Sequence, residues 1–251
     1  NGTTYHFAGL PPTVIAFVPF TILPEAIATF LWVILSALAA VIIVRRLHLA
    51  WWYLLFPPVL VSVWAGNPQL PLIALILVGG ASLAPLLKIY ALVPLVGEGR
   101  WRAVALALAL VAATMLVAPS LWATYLGEWS TLAARQVTEA HGGLSAWGLP
   151  LPFLGLTVAA LGVVALLDPR AAGWLAVPIL WPGSQLQYGT MALPVAGPLT
   201  LGLLAVQLPY LPALIAFGYA AHAIWRRRPN IQIQASKPPG NAHRLATSRR
   251  R

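Results

Sequence analysis

The chain has 251 residues, of which 60% are apolar and 8% charged, and it carries a net charge of +10. So few charges cannot coat a soluble particle, whose composition runs to about 25% charged residues, and the missing apolar/polar alternation excludes a membrane β-barrel. The absence of cysteine also excludes disulfides, thiolate metal sites and cysteine nucleophiles. What remains is an all-α, polytopic helical protein whose solvent is a lipid bilayer.

Asn1 to Gly9 is polar, and no signal peptide precedes it, so the chain reads as a fragment whose upstream helices are missing. Pro11 to Leu23 is too short to span comfortably and reads as a re-entrant or interfacial helix opened by Pro11 and Pro12. Pro24 to Val44 is a full span, stopped by Arg45 and Arg46, which mark the cytoplasmic side. Residues 49–65 read as the next span, begun by the aromatic belt Trp51, Trp52 and Tyr53 and kinked at Pro57 and Pro58. Gly66, Asn67, Pro68 and Gln69 form an outer turn.

Residues 70–96 are apolar but interrupted by Gly79, Gly80, Pro85 and Pro94. Arg100 and Arg102 belong inside, so parity makes 70–96 one broken span with Lys88 towards the cytoplasm. A re-entrant hairpin over 70–96 would place Lys88 on the outer side instead. Residues 103–119 form a clean span, followed by an outer stretch, Pro119 to Pro150, with an amphipathic interfacial helix over 121–140. Leu151 to Leu167 is another span, ended by Asp168, Pro169 and Arg170.

Residues 171–181, 191–208 and 211–225 are all apolar. If all three crossed, Arg226 to Arg228 would lie outside, so either 171–181 or 191–208 fails to span. The expectation is seven to eight transmembrane helices over 1–228 and a basic, disordered cytoplasmic tail over 229–251. Eight of the fifteen basic residues follow position 225. In a soluble chain they would point to nucleic acid; behind an apolar span they face anionic membrane lipid, and no nucleic-acid partner is expected.

The order of these elements carries a resemblance. Tyr5 and His6 run into Pro11-Pro12. A span ends at Arg45-Arg46, and a proline-containing span leads to Gly66-Asn67 with Gln69. Then come Lys88, Arg100-Trp101-Arg102 and a tryptophan-bearing outer loop. Over residues 5–130, and more weakly over 178–194, the chain resembles the membrane glycosyltransferases of family 87, in the C-type superfamily. Pro94 arrives later after the lysine than is usual in that family.

The resemblance implies transfer of a hexose, usually mannose, from a polyprenyl-phosphate carrier to a lipid or glycan acceptor at the extracytoplasmic face of a bacterial inner membrane. It implies no cofactor, no metal and an inverting mechanism with one carboxylate base. That base would sit in a loop before Asn1, so no catalytic residue is named in this chain and the fragment alone is expected to be inactive.

Candidate substrate-binding residues follow. Lys88, flanked by apolar residues, is expensive in lipid at about 2.5–3.5 kcal/mol and would hold the carrier phosphate; the alternative is a lysine snorkelling to the interface. Asn67 and Gln69 would bond sugar hydroxyls, or form an ordinary turn. Tyr5 and His6 would contact phosphate or sugar, or act as interfacial aromatics. Gln185, Gln187 and Tyr188 would line the acceptor cleft. Glu128, Glu139 and His141 offer acid–base chemistry, with a solvated loop as the plainer reading. Glu25 caps a helix start. Rival functions are a transporter or lipid flippase, built on broken helices, and a non-catalytic membrane scaffold.

Overall fold

The computed structural model describes residues 10–140, 145–206 and 208–227, and their side chains except those of 135–140. Tyr5, His6 and the tail over 229–251 lie outside the described residues. Every regular element among the described residues is helical.

Helix α1 (Pro11–Thr21) begins on its two prolines, whose fixed φ suits a first turn. Eleven residues rise about 16 Å, too little to cross a core about 30 Å thick. Instead α1 lies against α2 (Glu25–Arg46): Phe17 and Phe20 pack on Trp32, with ring centroids 4.7 and 5.6 Å away. Helix α2 has no interior glycine or proline, opens on Glu25 and closes on Arg45 and Arg46, so both ends complement the helix dipole. Among the described residues it is the one helix long and apolar enough to cross a membrane by itself. Its outer face leaves Phe30, Leu31, Ile34, Leu35 and Leu38 exposed, an apolar strip that lipid wets and water does not.

The expected kinked span over 49–65 is instead a break. A 3₁₀ turn over Trp51–Leu55 leads into α3 (Pro57–Trp64), which has eight residues and rises about 12 Å. Helix α4 (Gln69–Val78) leaves it at 108°, so the two make at most one broken span or re-entrant loop. Gly66 takes φ +62° at the corner, and a Cβ there would stand 3.3 Å from Trp32. The Trp32 indole N–H donates to the Gly66 carbonyl at 2.7 Å, tying α2 to the corner.

Residues 70–96 are fragmented rather than a single span, as their glycines and prolines foretell. After Gly79, at φ +100°, come α5 (Ala84–Leu87), a 3₁₀ turn over Ile89–Ala91 and α6 (Leu92–Gly97). Helix α7 (Trp101–Val117) is followed at a 100° bend by α8 (Pro119–Gly127) and then α9 (Trp129–Ala140). The expected helical stretch over 121–140 therefore forms as two helices.

Helices α10 (Leu151–Leu167) and α13 (Leu211–Arg227) pack together. They run parallel: Phe153 meets Tyr210 near their starts, at 5.2 Å between ring centroids. At their ends Arg227 donates to the Leu167 carbonyl at 3.1 Å. Between them, α11 (Pro169–Leu180) returns antiparallel to α10, its first turn capped by the Asp168 carboxylate on Ala171 N–H. Neither doubtful stretch, 171–181 or 191–208, forms a helix long enough to cross a membrane by itself: α11 has 12 residues, and the second stretch is more broken. There only the end of a 3₁₀ stretch over Leu186–Ala192 and the seven-residue α12 (Pro198–Leu204) form.

The core sits around α11, where Trp174, Leu175 and Ile179 have no exposed surface. It reaches α6 by direct backbone contact. A Cβ on Gly97 would lie 2.5 Å from the Pro169 carbonyl, and one on Gly173 would lie 3.0 Å from Gly97 Cα. Small residues permit this approach where no solvent drives helices together. Gly97→Ala is therefore expected to cost about 1–3 kcal/mol, read as a lowered melting midpoint in detergent. Gly202→Ala, whose Cβ meets open space within α12, is expected to hold or raise it.

Candidate functional site

Two polar regions flank this core. The first is a charged lock at what we term the basic end. The Trp174 indole N–H donates to Glu98 at 2.8 Å. Arg100 and Arg170 approach the same carboxylate at 3.6 and 3.7 Å, and Arg100 also donates to the Ile76 carbonyl at 2.9 Å. The end of α4, the α6–α7 turn and the start of α11 are thereby held on one acid. A carboxylate taken from water needs such a full set of donors. Sequence reasoning assigned Arg100 and Arg102 to topology and gave Glu98 no role. The only visible signal was an acid set between Gly97 and Gly99 beside two arginines.

The second region gathers several of the sequence candidates. Lys88 interrupts the α5–α6 path in an extended conformation, φ −155° and ψ 125°. Its side chain is half-buried and makes no hydrogen bond or ion pair among the described residues. Thr13 of α1 donates to the Leu87 carbonyl beside it at 3.0 Å. Two residues on, the buried Tyr90 ring meets Trp181 edge-on at 5.1 Å and Tyr188 at 5.4 Å. Tyr188 belongs to the 3₁₀ stretch over Leu186–Ala192, which packs on α3, α4 and α11. So the chain brings Tyr188 to the Lys88 segment. Gln185 is exposed at its edge and accepts from Gln187 at 2.9 Å.

The α3–α4 corner adds orphaned polar atoms. Gln69 is fully buried, and neither atom of its carboxamide has a partner. Asn67 Oδ1, Ser62 Oγ and Ser36 Oγ are likewise buried without partners. Ser36 stands one turn after Trp32 on the same helix face, and Trp32 reaches this corner. Each such group costs about 1–3 kcal/mol if left unpaired, so the corner holds unused hydrogen-bonding capacity.

Helix rise fixes where these groups stand. Gln69 lies seven residues before Ile76, about 10 Å along α4 from the basic end. Trp181, against Tyr90, lies seven residues after Trp174, about 10 Å along α11 in the same sense. Lys88, two residues before Tyr90, therefore lies on the Trp181 side of the basic lock. The arrangement supplies a cation, aromatic faces and carboxamides, suited to bind and orient an anion and a polyol.

Of the acids, Glu98 and Asp168 sit at the basic end and Glu128 is exposed between α8 and α9. The side chains of Glu139 and His141 lie outside the described residues, as do Tyr5 and His6. No family model, curated protein or solved structure matches the chain.

Gln69→Leu tests the orphaned carboxamide. Removing a buried group with no partner is expected to leave the melting midpoint in detergent unchanged or to raise it, by up to about 3 kcal/mol of stability. A clear loss of stability would mean that Gln69 is satisfied within the protein and has no bond to spare.

Proposed function

We propose that this chain is part of an integral membrane hexosyltransferase that takes a sugar, mannose by preference, from a polyprenyl-phosphate carrier. Its acceptor is a lipid or glycan at the extracytoplasmic face of a bacterial inner membrane. In this reading the basic end is cytoplasmic, α2, α7, α10 and α13 cross the bilayer, and the broken segments bring the total to seven or eight passes.

One observation carries the reading. Unpaired Lys88, the Tyr90–Trp181–Tyr188 aromatic cluster and the orphaned Gln69 all stand at the end away from the basic lock. A carrier phosphate would meet Lys88, a sugar ring would stack on the aromatic faces, and its hydroxyls would satisfy the Gln69 carboxamide. The base that takes the acceptor proton would come from sequence outside these residues. Catalysis here is orientation and charge neutralisation at the leaving phosphate.

The break at Lys88 and the 108° corner between α3 and α4 also suit a transporter, whose sites use interrupted helices. One experiment separates the two. The full-length protein in membranes is given labelled polyprenyl-phosphate mannose, and sugar transfer is measured alongside carrier translocation. Transfer is expected, with Lys88→Ala reducing it at least about tenfold, the loss of one charge-assisted contact. Undiminished transfer by Lys88→Ala would remove that residue from the site. Translocation without transfer would favour the carrier reading.

A further inference from the structure

A cavity of about 960 Å³ lies at the basic end between α10, the start of α11, residues 194–203 and α13. Its volume is at the upper end of the range for small-ligand sites. None of the residues placed above in the sugar-transfer site lines it. Its lining mixes apolar side chains, among them Val164, Leu199, Leu203 and Leu214, with Thr200, Tyr219 and the basic residues Arg170, His222, Arg226 and Arg227.

The charge on that lining is unevenly committed. Asp168 also lines the cavity, but its carboxylate caps Ala171 N–H. Arg170 is shared with Glu98 at 3.7 Å. Arg227 donates to the Leu167 carbonyl at 3.1 Å and makes no ion pair among the described residues. Arg226 makes no ion pair among the described residues. An open, mainly apolar groove about 960 Å³ in volume, with guanidinium groups that no acid among the described residues pairs, matches one chemistry, a negatively charged head on hydrocarbon chains.

We propose that this cavity is a binding site for an anionic phospholipid. The phosphate sits against Arg226 and Arg227, and an acyl chain lies along Leu199, Leu203 and Leu214. Basic pockets between helices at a membrane's cytoplasmic surface recognise anionic headgroups on this principle. The occupant bridges α10 and α13 where both helices end, so it bonds the start of α11 to the C-terminal helix. The proposal is independent of the sugar-transfer reading.

The test uses the full chain in phosphatidylcholine nanodiscs, titrated with fluorescent phosphatidylglycerol and, separately, with phosphatidylcholine carrying the same label. The wild type is expected to prefer phosphatidylglycerol about 30-fold, the effect of two arginines near a membrane surface. The double substitution Arg226→Gln with Arg227→Gln is expected to bring the ratio near one.

Leu203→Trp fills the chamber and leaves every charge in place, the C-terminal basic residues included. It is expected to abolish the preference as well, which separates the cavity from attraction by the tail. Equal affinity for the two lipids in the wild type, which requires no variant to fold, would overturn the proposal. So would a preference that survives Leu203→Trp, or one that inorganic phosphate competes away.

Discussion

Two backbones touching at Gly97 and Gly173 decide how the rest of the molecule is arranged. Their contact allows α6 and α11 to pack without side chains between them. It brings Trp174 within 2.8 Å of Glu98, and through Glu98 the chain recruits Arg100, Arg170 and the last turn of α4. Close packing and charge-assisted hydrogen bonds hold these helices together. A side chain at either glycine would push the acid away from its donors. The steric and electrostatic parts of this junction are therefore one constraint.

From that junction the polarity of the molecule follows. Acids and arginines are concentrated where α4, α6, α10 and α13 end and α7 and α11 begin. The opposite end holds aromatic rings, unpaired amides and a lysine that interrupts a helix. At the first end Glu98 is fully engaged by Trp174, Arg100 and Arg170. The second leaves Gln69 and Asn67 short of partners. Buried polar groups without partners are uncommon in folded chains, so the two ends differ in how their polar atoms are satisfied.

Composition and breaker residues made much of this architecture readable beforehand. Pro11-Pro12, Glu25 and Arg45-Arg46 bound α1 and α2 as helix physics requires, and Asp168-Pro169 marks the α10–α11 join. The prolines at 57 and 58 were read too gently. Followed by Gly66, Asn67 and Pro68, they leave too few residues for a long helix, and the chain turns a corner where a kink was expected. Parity counts crossings as if every apolar stretch were one continuous helix, and the short, bent pieces over 70–96 are not.

Glu98 escaped notice because its meaning lies in Trp174 and Arg170, distant in sequence and near only after folding. Gly173 was similarly silent, since one glycine in an apolar run looks the same whether it faces lipid or another backbone. The α10–α13 cavity left no trace either, because its walls come from three separate stretches of chain.

The parallel run of α10 and α13 has a topological result. Neighbouring helices that point the same way cannot be joined by a tight turn, and the polypeptide between Asp168 and Tyr210 must travel back to the level from which α10 started. Helix α11 makes that journey. The irregular stretch after it begins with Trp181 and Tyr188 and then passes along α13, lining the cavity through residues 194–203. The aromatic surface is thus made from a connector whose length and path are dictated by its two flanking helices, so its geometry is inherited from the bundle and cannot drift independently of it.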